Sequence, residues 1–224
     1  HSGSGKTQLI SALLVDAGAV QRFGKVDEGT TVTDYDDEAI ARKHTLSASL
    51  AHLEWKKFKI NLIDTPGMGN FLADARAALH AADAAIVIVD ATSGVQVSTE
   101  KVWHFADETN LPRLIVVNRL DRERSSFESA VDSIHAYLGR TCVPLQLPLG
   151  AEKDFRGVID LVSMTAEIFA GDESGKMTDA EIPAGELDAA KAARETLIEA
   201  VAEADESLME TYFANGTLTQ DELV

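Results

Sequence analysis

The 224-residue chain has little cysteine, few aromatic residues and no long apolar run. Its only cysteine, Cys142, excludes an intrachain disulfide and a cysteine-based metal cluster, which favours the reducing cytoplasm. The longest uninterrupted apolar run, Ala84 to Val89, is far shorter than the roughly 18 residues that cross a bilayer. We therefore predict a cytoplasmic protein whose function involves no membrane.

Positive charge is also scarce. The chain carries 20 lysine and arginine residues against 37 aspartate and glutamate residues, a net charge of −17. Residues 150–224 contribute 18 of the acidic residues but only 5 of the basic ones. This shift predicts one domain over 1–149 and an acidic subdomain over 150–224. The acidic subdomain disfavours non-specific nucleic-acid binding, and it suits a basic protein partner or, more commonly, simple solvation.

A phosphate-binding pattern opens the chain. Residues His1–Thr7 match the last seven positions of G-x-x-x-x-G-K-[ST], which we call the phosphate loop. Its glycines let successive backbone N–H groups point into one concavity at the start of a helix. A flexible linker or tag remnant is disfavoured, because an apolar helical run follows Lys6 and Thr7. The predicted nucleotide-binding residues here are Ser2, Gly3, Ser4, Gly5, Lys6 and Thr7.

Two of these residues have specific predicted roles. We expect Lys6 to reach the β- and γ-phosphates of a nucleotide and the Thr7 hydroxyl to bind Mg²⁺. The first glycine of the pattern and the strand that precedes such a loop are not in the sequence, which also lacks an initiator methionine. We therefore expect this chain to be a fragment.

A second chemical signal is the turn Asp64-Thr65-Pro66-Gly67, which begins 57 residues after Thr7. Two strand-like runs, 46–55 and 58–63, flank a lysine pair and predict a hairpin that ends at this turn. At the end of a strand near a phosphate loop, Asp64 is expected to hold Mg²⁺ directly or through water. The Gly67 backbone N–H is expected to approach the γ-phosphate.

The third signal is Asn118-Arg119-Leu120-Asp121, which follows a predicted buried strand over 113–117. A carboxylate such as Asp121 accepts from both the ring N–H and the exocyclic amine of guanine. Adenine offers an acceptor and no amine at those positions, so it would leave polar groups unpaired. The tetrapeptide resembles the Asn-Lys-x-Asp guanine motif of GTPases, with Arg119 in place of the lysine, and this resemblance implies that Asn118, Arg119 and Asp121 bind the base.

Strands and helices alternate along most of the chain. This alternation predicts an α/β fold of the phosphate-loop NTPase type, with a doubly wound, mostly parallel sheet and an inserted α+β subdomain. Further expected strands lie at 84–89 and within 158–169, a strand-like run broken by Pro144 and Pro148 covers 141–147, and a loop is expected at 171–179. Helices are expected from the first glycines to 16 and at 70–82, 99–108, 125–138 and 186–215, the last being one long helix or a broken pair.

The three signals, in this order, resemble those of a translational GTPase, and the details are similar to elongation factor G and its elongation factor G-like paralogues. Residues 30–35 and 42–45 resemble its first switch, and 64–71 resemble its second. Residues 145–152 and 157–162 resemble the entrance to the subdomain inserted in its GTP-binding domain. The resemblance covers essentially the whole chain.

This resemblance implies a function. It implies GTP and GDP as ligands, Mg²⁺ as cofactor, and hydrolysis that drives conformational change on the ribosome. Thr45 would be the switch threonine that reaches Mg²⁺ in the GTP state, beside Thr7 and Asp64. The expected partners are the ribosomal stalk protein, through the acidic subdomain, and large-subunit RNA, and we expect a monomer.

Two departures from the family pattern bear on catalysis. Met68 stands where the family has a histidine that orients the attacking water, and a thioether is only a weak acceptor. Residues 42–45 read Arg-Lys-His-Thr where the family has Arg-Gly-Ile-Thr. The predicted catalytic positions are Lys6, Thr45, Gly67 and Met68. The family's last base-binding loop should follow Val224, and we do not interpret Gly150–Glu152 as that motif.

Three alternatives remain at the level of sequence. The chain could bind guanine nucleotide and change shape with little or no hydrolysis, as Met68 suggests. It could be a phosphate-loop ATPase, which Asp121 disfavours. As a fragment, it could bind no nucleotide by itself.

Overall fold

The computed structural model describes residues 1–139, 141–172 and 175–223. They form two compact units, His1–Arg119 with Glu128–Ser133, and Leu120–Phe127 with Ile134–Val224. The compact units therefore first divide after Arg119, whereas the charge composition changes near Gly150. The reason is that strand β5 (Gln146–Leu149) pairs with β6 (Gly157–Asp160), so residues on both sides of Gly150 share one sheet. The functional boundary at Gly150 stays a prediction.

The first unit is an α/β structure. Its strands are β1 (Ser49–Trp55), β2 (Phe58–Asp64), β3 (Ala85–Asp90) and β4 (Arg113–Asn118). Its helices are α1 (Lys6–Asp16), α2 (Asp37–Arg42), α3 (Leu72–Leu79) and α4 (Val97–Asp107). A fifth helix, α5 (Phe127–Tyr137), belongs to this unit over Glu128–Ser133 and to the second unit at its two ends. Short 3₁₀ turns lie at Val26–Glu28 and Gly69–Phe71. The predicted strands and helices of 1–138 are confirmed, with ends that shift by a few residues.

Strands β3 and β4 pair in parallel, from Ala85 opposite Arg113 to Asp90 opposite Asn118. The β-branched run of β3 is buried from Val87 onward, as expected for a strand covered on both faces. Parallel pairing brings the two C-terminal ends to the same edge. Asp90 and Asn118 therefore lie side by side at the edge where ligands bind in such sheets.

The predicted hairpin is present, and β1 pairs antiparallel with β2. Its turn residues Lys56 and Lys57 both have positive φ, 46° and 72°, as a tight two-residue hairpin turn requires. Helix α1 packs on this hairpin through Leu14, which contacts Ala51 and Leu53 in one buried cluster. The hairpin thereby holds both the phosphate loop at the start of α1 and Asp64 at the end of β2.

The second unit contains an antiparallel sheet in the order β5-β6-β7-β8, with β7 at Thr165–Phe169 and β8 at Met177–Ala180. Two predictions were wrong here. The strand expected at 141–147 forms instead at Gln146–Leu149, and it tolerates Pro148 because β5 is an edge strand. The loop expected at 171–179 includes the first residues of β8; residues 173 and 174 of that prediction lie outside the described residues.

Two helices, α6 (Leu187–Ala204) and α7 (Glu206–Asn215), complete the second unit, so the broken pair is confirmed. Asp205 makes the break, since its extended backbone ends α6 and its carboxylate accepts from the Ser207 and Leu208 N–H groups. The apolar side of α6 covers the sheet. The buried cluster of this unit comprises Leu149, Ile159, Leu161, Ala166, Ala190 and Leu197.

In the described part of the chain, no helix is both long enough and apolar enough to traverse a bilayer.

Candidate functional site

The phosphate loop is held by the end of β4. Gly5 has φ 100° and ψ 20°, a left-handed conformation, and directly precedes α1. The Asn118 side-chain amide donates to the Ser4 carbonyl over 2.9 Å, and a Cβ on Gly5 would collide with that amide. Ser4 is fully buried and donates from its hydroxyl to the His1 carbonyl over 3.0 Å. The structure thus places the phosphate loop in contact with Asn118, the first residue of the Asn118–Asp121 motif.

The second signal also reaches this loop. A Cβ on Gly67 would collide with Lys6 Nζ and with the backbone at Ser2, so only glycine allows so close an approach. Lys6 Nζ donates to the His1 carbonyl over 2.8 Å. Three segments that are distant in sequence therefore converge around Lys6.

The predicted metal ligands also come together. The hydroxyls of Thr7 and Thr45 lie 3.0 Å apart, although 38 residues separate them. Asp64 is 1% exposed and accepts from the Thr33 hydroxyl over 2.8 Å. The segment 33–45 is thus tied to the loop at one point and to the end of β2 at another.

Asp34 lies in the same group of charges, and the sequence analysis missed it. It is 4% exposed, and neither carboxylate oxygen has a hydrogen-bond partner among the described residues. Its charge acts on both Lys6 and Asp64. No periodicity or motif spacing distinguishes Asp34 from the acidic residues that follow it, so only the fold reveals it.

Burial dominates the titration of the two oppositely charged groups. Burial raises the pKa of Asp64 above its usual value, and hydrogen bonds from Thr7 and Thr33 and the charge of Lys6 oppose this effect in part. Burial lowers the pKa of Lys6, while the charges of Asp64 and Asp34 act in the opposite direction. Each charge is therefore kept in a poorly solvated place, as expected where a charged ligand binds.

This set of oxygen atoms fits a divalent cation. Asp64 Oδ1 and both oxygens of Asp34 are buried without partners among the described residues, beside the hydroxyls of Thr7 and Thr45. Hydroxyl and carboxylate oxygens are the ligands that Mg²⁺ prefers. In the described ranges no cluster of three or more His, Cys, Asp or Glu residues could hold a metal.

Comparison with known proteins identifies the family. The family model described as the elongation factor Tu GTP binding domain matches residues 1–218. The chain belongs to this family. Its structure also matches a crystal structure of a protein from Thermus thermophilus with a TM-score of 0.91 and 38% sequence identity. That match covers 100% of this chain but 33% of the Thermus chain, so this chain spans about a third of the protein it resembles.

The match confirms that this is a GTP-binding domain of the translational GTPase type and that its α/β phosphate-loop fold was predicted correctly. Within this GTP-binding domain, Met68 occupies the position directly after Gly67 and is half-buried at the start of the 3₁₀ turn. His44 is exposed. Lys43 has φ 55°, a left-handed conformation, at the position where the family pattern has glycine.

The guanine-type motif of the domain has an ion pair that the sequence analysis did not anticipate. Arg119 donates to Asp90 Oδ2 over 2.7 Å, and the Asp90 side chain is 4% exposed. Thr92 donates to Asp90 Oδ1 from both its backbone N–H and its hydroxyl. Asp121 is exposed and belongs to the second compact unit. Its assignment to the base rests on the motif and stays a prediction.

Replacing Asp90 with asparagine is expected to lower the free energy of unfolding at pH 7 by about 2 kcal/mol, because Arg119 loses a charged, hydrogen-bonded partner. Burial would raise the pKa of Asp90, but the bonds from Thr92 and Arg119 hold it below its usual value. The stability that ionised Asp90 provides is therefore present above its unfolded pKa and is lost as pH falls through the folded one.

Urea denaturation across pH measures this effect. The gap between wild type and Asp90→Asn should narrow as pH drops below about 4, the ordinary pKa of an aspartate, because the unfolded chain then binds a proton that folded Asp90 still lacks. Asp83→Asn is the matched control, since Asp83 is exposed just before the same strand. A gap that stays constant with pH would show that the ion pair does not cause the stability difference.

Proposed function

We propose that this chain is the GTP-hydrolysing switch domain of an elongation factor G-like translation factor. It would cleave GTP to GDP and phosphate and use the change to drive movement on the ribosome. The observation that carries the proposal is the contact between Thr7 and Thr45, which joins the first switch to the phosphate loop. Two-state ordering of such a segment around the γ-phosphate is how GTPases switch.

The phosphates would be bound by the loop and Lys6. Backbone N–H groups of Ser2–Thr7 would point into a concavity at the N-terminus of α1, which begins at Lys6 and where anions are favoured. The ammonium of Lys6 would neutralise the β- and γ-phosphates, and the poor solvation of this group strengthens that attraction. The Gly67 N–H would bind the γ-phosphate, which explains why no side chain fits there.

Mg²⁺ would be held by the hydroxyls of Thr7 and Thr45 and, directly or through water, by Asp64. When bound, the ion supplies charge that stabilises the phosphate oxygens during transfer. Thr45 and Thr7 would share this ligand, because their hydroxyls lie 3.0 Å apart and Thr33 ties the same segment to Asp64. Loss of the γ-phosphate would release that segment.

The base would be recognised by Asp121, whose carboxylate can accept two bonds from guanine and none from adenine. Asn118 would connect the base-recognition motif to the phosphate loop, because its side-chain amide donates to the Ser4 carbonyl. Arg119 keeps the positive charge of the lysine usual at this position, and Asp90 fixes its direction.

The expected partners follow from family membership and charge. The acidic segment 150–224 would bind the ribosomal stalk protein, and the domain would act near large-subunit RNA. The whole protein would be a cytoplasmic monomer. This assignment is a proposal for the whole protein.

A second candidate function is nucleotide-gated binding with little or no hydrolysis. Met68 favours it, because its thioether is a weak acceptor at the place where the family has a water-orienting histidine. Positioning of the attacking water is one of the few tasks the protein performs in phosphoryl transfer.

Single-turnover hydrolysis of bound GTP by the full-length protein, with and without ribosomes, tests the proposal. Hydrolysis that ribosomes stimulate supports the GTPase switch. Tight GTP binding with no stimulated hydrolysis would overturn it in favour of the binding module.

A further inference from the structure

Glu152 binds the segment that carries Asp121 at two points. The Glu152 backbone N–H donates to the Leu120 carbonyl over 2.9 Å, one residue before Asp121. The Glu152 carboxylate accepts from the Arg124 backbone N–H over 2.7 Å, three residues after it. The Leu120 carbonyl also accepts from the Ser125 hydroxyl over 2.8 Å. Asp121 therefore lies in a short loop, Leu120–Ser125, whose two ends are fixed.

The backbone around Glu152 is built to make both contacts. Glu152 has φ 50°, a left-handed conformation that is uncommon for a glutamate. Two residues earlier Gly150 has φ 86°, and a Cβ there would collide with the Asp154 carbonyl. This tight bend turns the Glu152 N–H and its side chain toward the same loop. Conformations of this kind persist where the surrounding structure requires them.

We propose that Glu152 is a positioning residue that sets the guanine selectivity of Asp121. The inference rests on the proposed function, in which the Asp121 carboxylate recognises guanine. Asp121 is exposed, so no packing holds its side chain, and its direction depends on the backbone of the loop. A carboxylate must be aligned to accept from both the ring N–H and the exocyclic amine, because hydrogen bonds weaken steeply with angle. Fixing Leu120 and Arg124 supplies that alignment.

The experiment measures the affinities of the full-length protein for GDP and for inosine diphosphate, which lacks the exocyclic amine. Glu152→Ala removes the acceptor for Arg124, so the affinity for GDP should fall about tenfold more than that for inosine diphosphate, which can lose only the ring N–H contact. Glu152→Gln keeps an acceptor oxygen and should retain most of the preference. Asp154→Ala, which removes an exposed charge two residues away, is the matched control and should match the wild type.

A purely structural role for Glu152 predicts a different result. It would lower the affinities for both nucleotides equally, or only the melting temperature, and that outcome would overturn the proposal. Should Glu152→Ala fold poorly, Glu152→Gly carries the same test, because glycine suits the φ of 50° and also lacks the carboxylate.

Asp121→Asn separates this proposal from the function on which it rests. Asparagine can donate to the carbonyl that xanthine has in place of the amine, so this variant should prefer xanthosine diphosphate. Absence of that change would contradict base recognition by Asp121 itself. If Asp121→Asn prefers xanthosine diphosphate but Glu152→Ala keeps the wild-type preference for GDP, only the role of Glu152 is overturned.

Discussion

Under the second candidate function, replacing Met68 with histidine is expected to raise the single-turnover rate of GTP hydrolysis on ribosomes by at least about 100-fold. Met68 directly follows Gly67, whose backbone lies against Lys6 and the phosphate loop. An imidazole at this position can accept a hydrogen bond from the attacking water, which a thioether does only weakly. The affinity for GTP should change little, because the substituted side chain would act on the water and not on the nucleotide.

Met177→His is the control for Met68→His, since Met177 is an exposed residue of β8 in the other compact unit. Quench-flow measurement of phosphate release from preloaded GTP gives the rates. A wild-type protein that already hydrolyses GTP rapidly, and that Met68→His leaves unchanged, would contradict the role assigned to this position.

Lys6→Ala is expected to weaken the binding of GTP and GDP by at least about 100-fold, because it removes a charge-assisted contact to two phosphates. The same variant should fold as well as the wild type without nucleotide. Burial disfavours the charged form of Lys6 and lowers its pKa, so its removal relieves a cost of folding. Nucleotide binding should therefore weaken without a matching loss of stability.

Isothermal titration with GDP and urea denaturation of the nucleotide-free protein check these two effects. Lys101→Ala is the control, since Lys101 is exposed on α4. GDP affinity within about threefold of wild type would contradict phosphate binding by Lys6, because even one charged hydrogen bond contributes more.

The sequence predicted much of the first unit because its signals are local. The β-branched runs of β3 and β4 predict buried strands, and the lysine pair between β1 and β2 predicts a hairpin turn; both predictions agree with the observed pairing. The sequence left open whether residues 186–215 form one helix or two. Asp205 separates them, because it caps the N-terminus of α7.

The second unit was harder to predict because the positions of its strands depend on pairing. Gln146–Leu149 contains Pro148, which reads locally as a strand breaker, yet an edge position tolerates it. Met177–Ala180 is exposed at all four residues, so no buried apolar alternation predicts it and its strand form depends on pairing with β7.

The candidate site divides in the same way. The phosphate loop, Asp64 and the Asn118 motif were predicted from residue type and spacing, and Thr45, predicted from family resemblance, lies 3.0 Å from the Thr7 hydroxyl. Asp34, Asp90 and Glu152 were missed as site residues, because each acts through a partner distant in sequence. An acidic residue in an acid-rich chain carries no signal until its burial or its partner is known.

Competition between GDP and ADP for the full-length protein tests most directly whether this domain selects guanine. The account predicts that GDP displaces a labelled nucleotide at a concentration at least about 1000-fold lower than ADP, because adenine leaves the Asp121 carboxylate unpaired. Equal displacement by the two nucleotides would contradict guanine recognition by Asp121 and would favour a phosphate-loop protein that does not read the base.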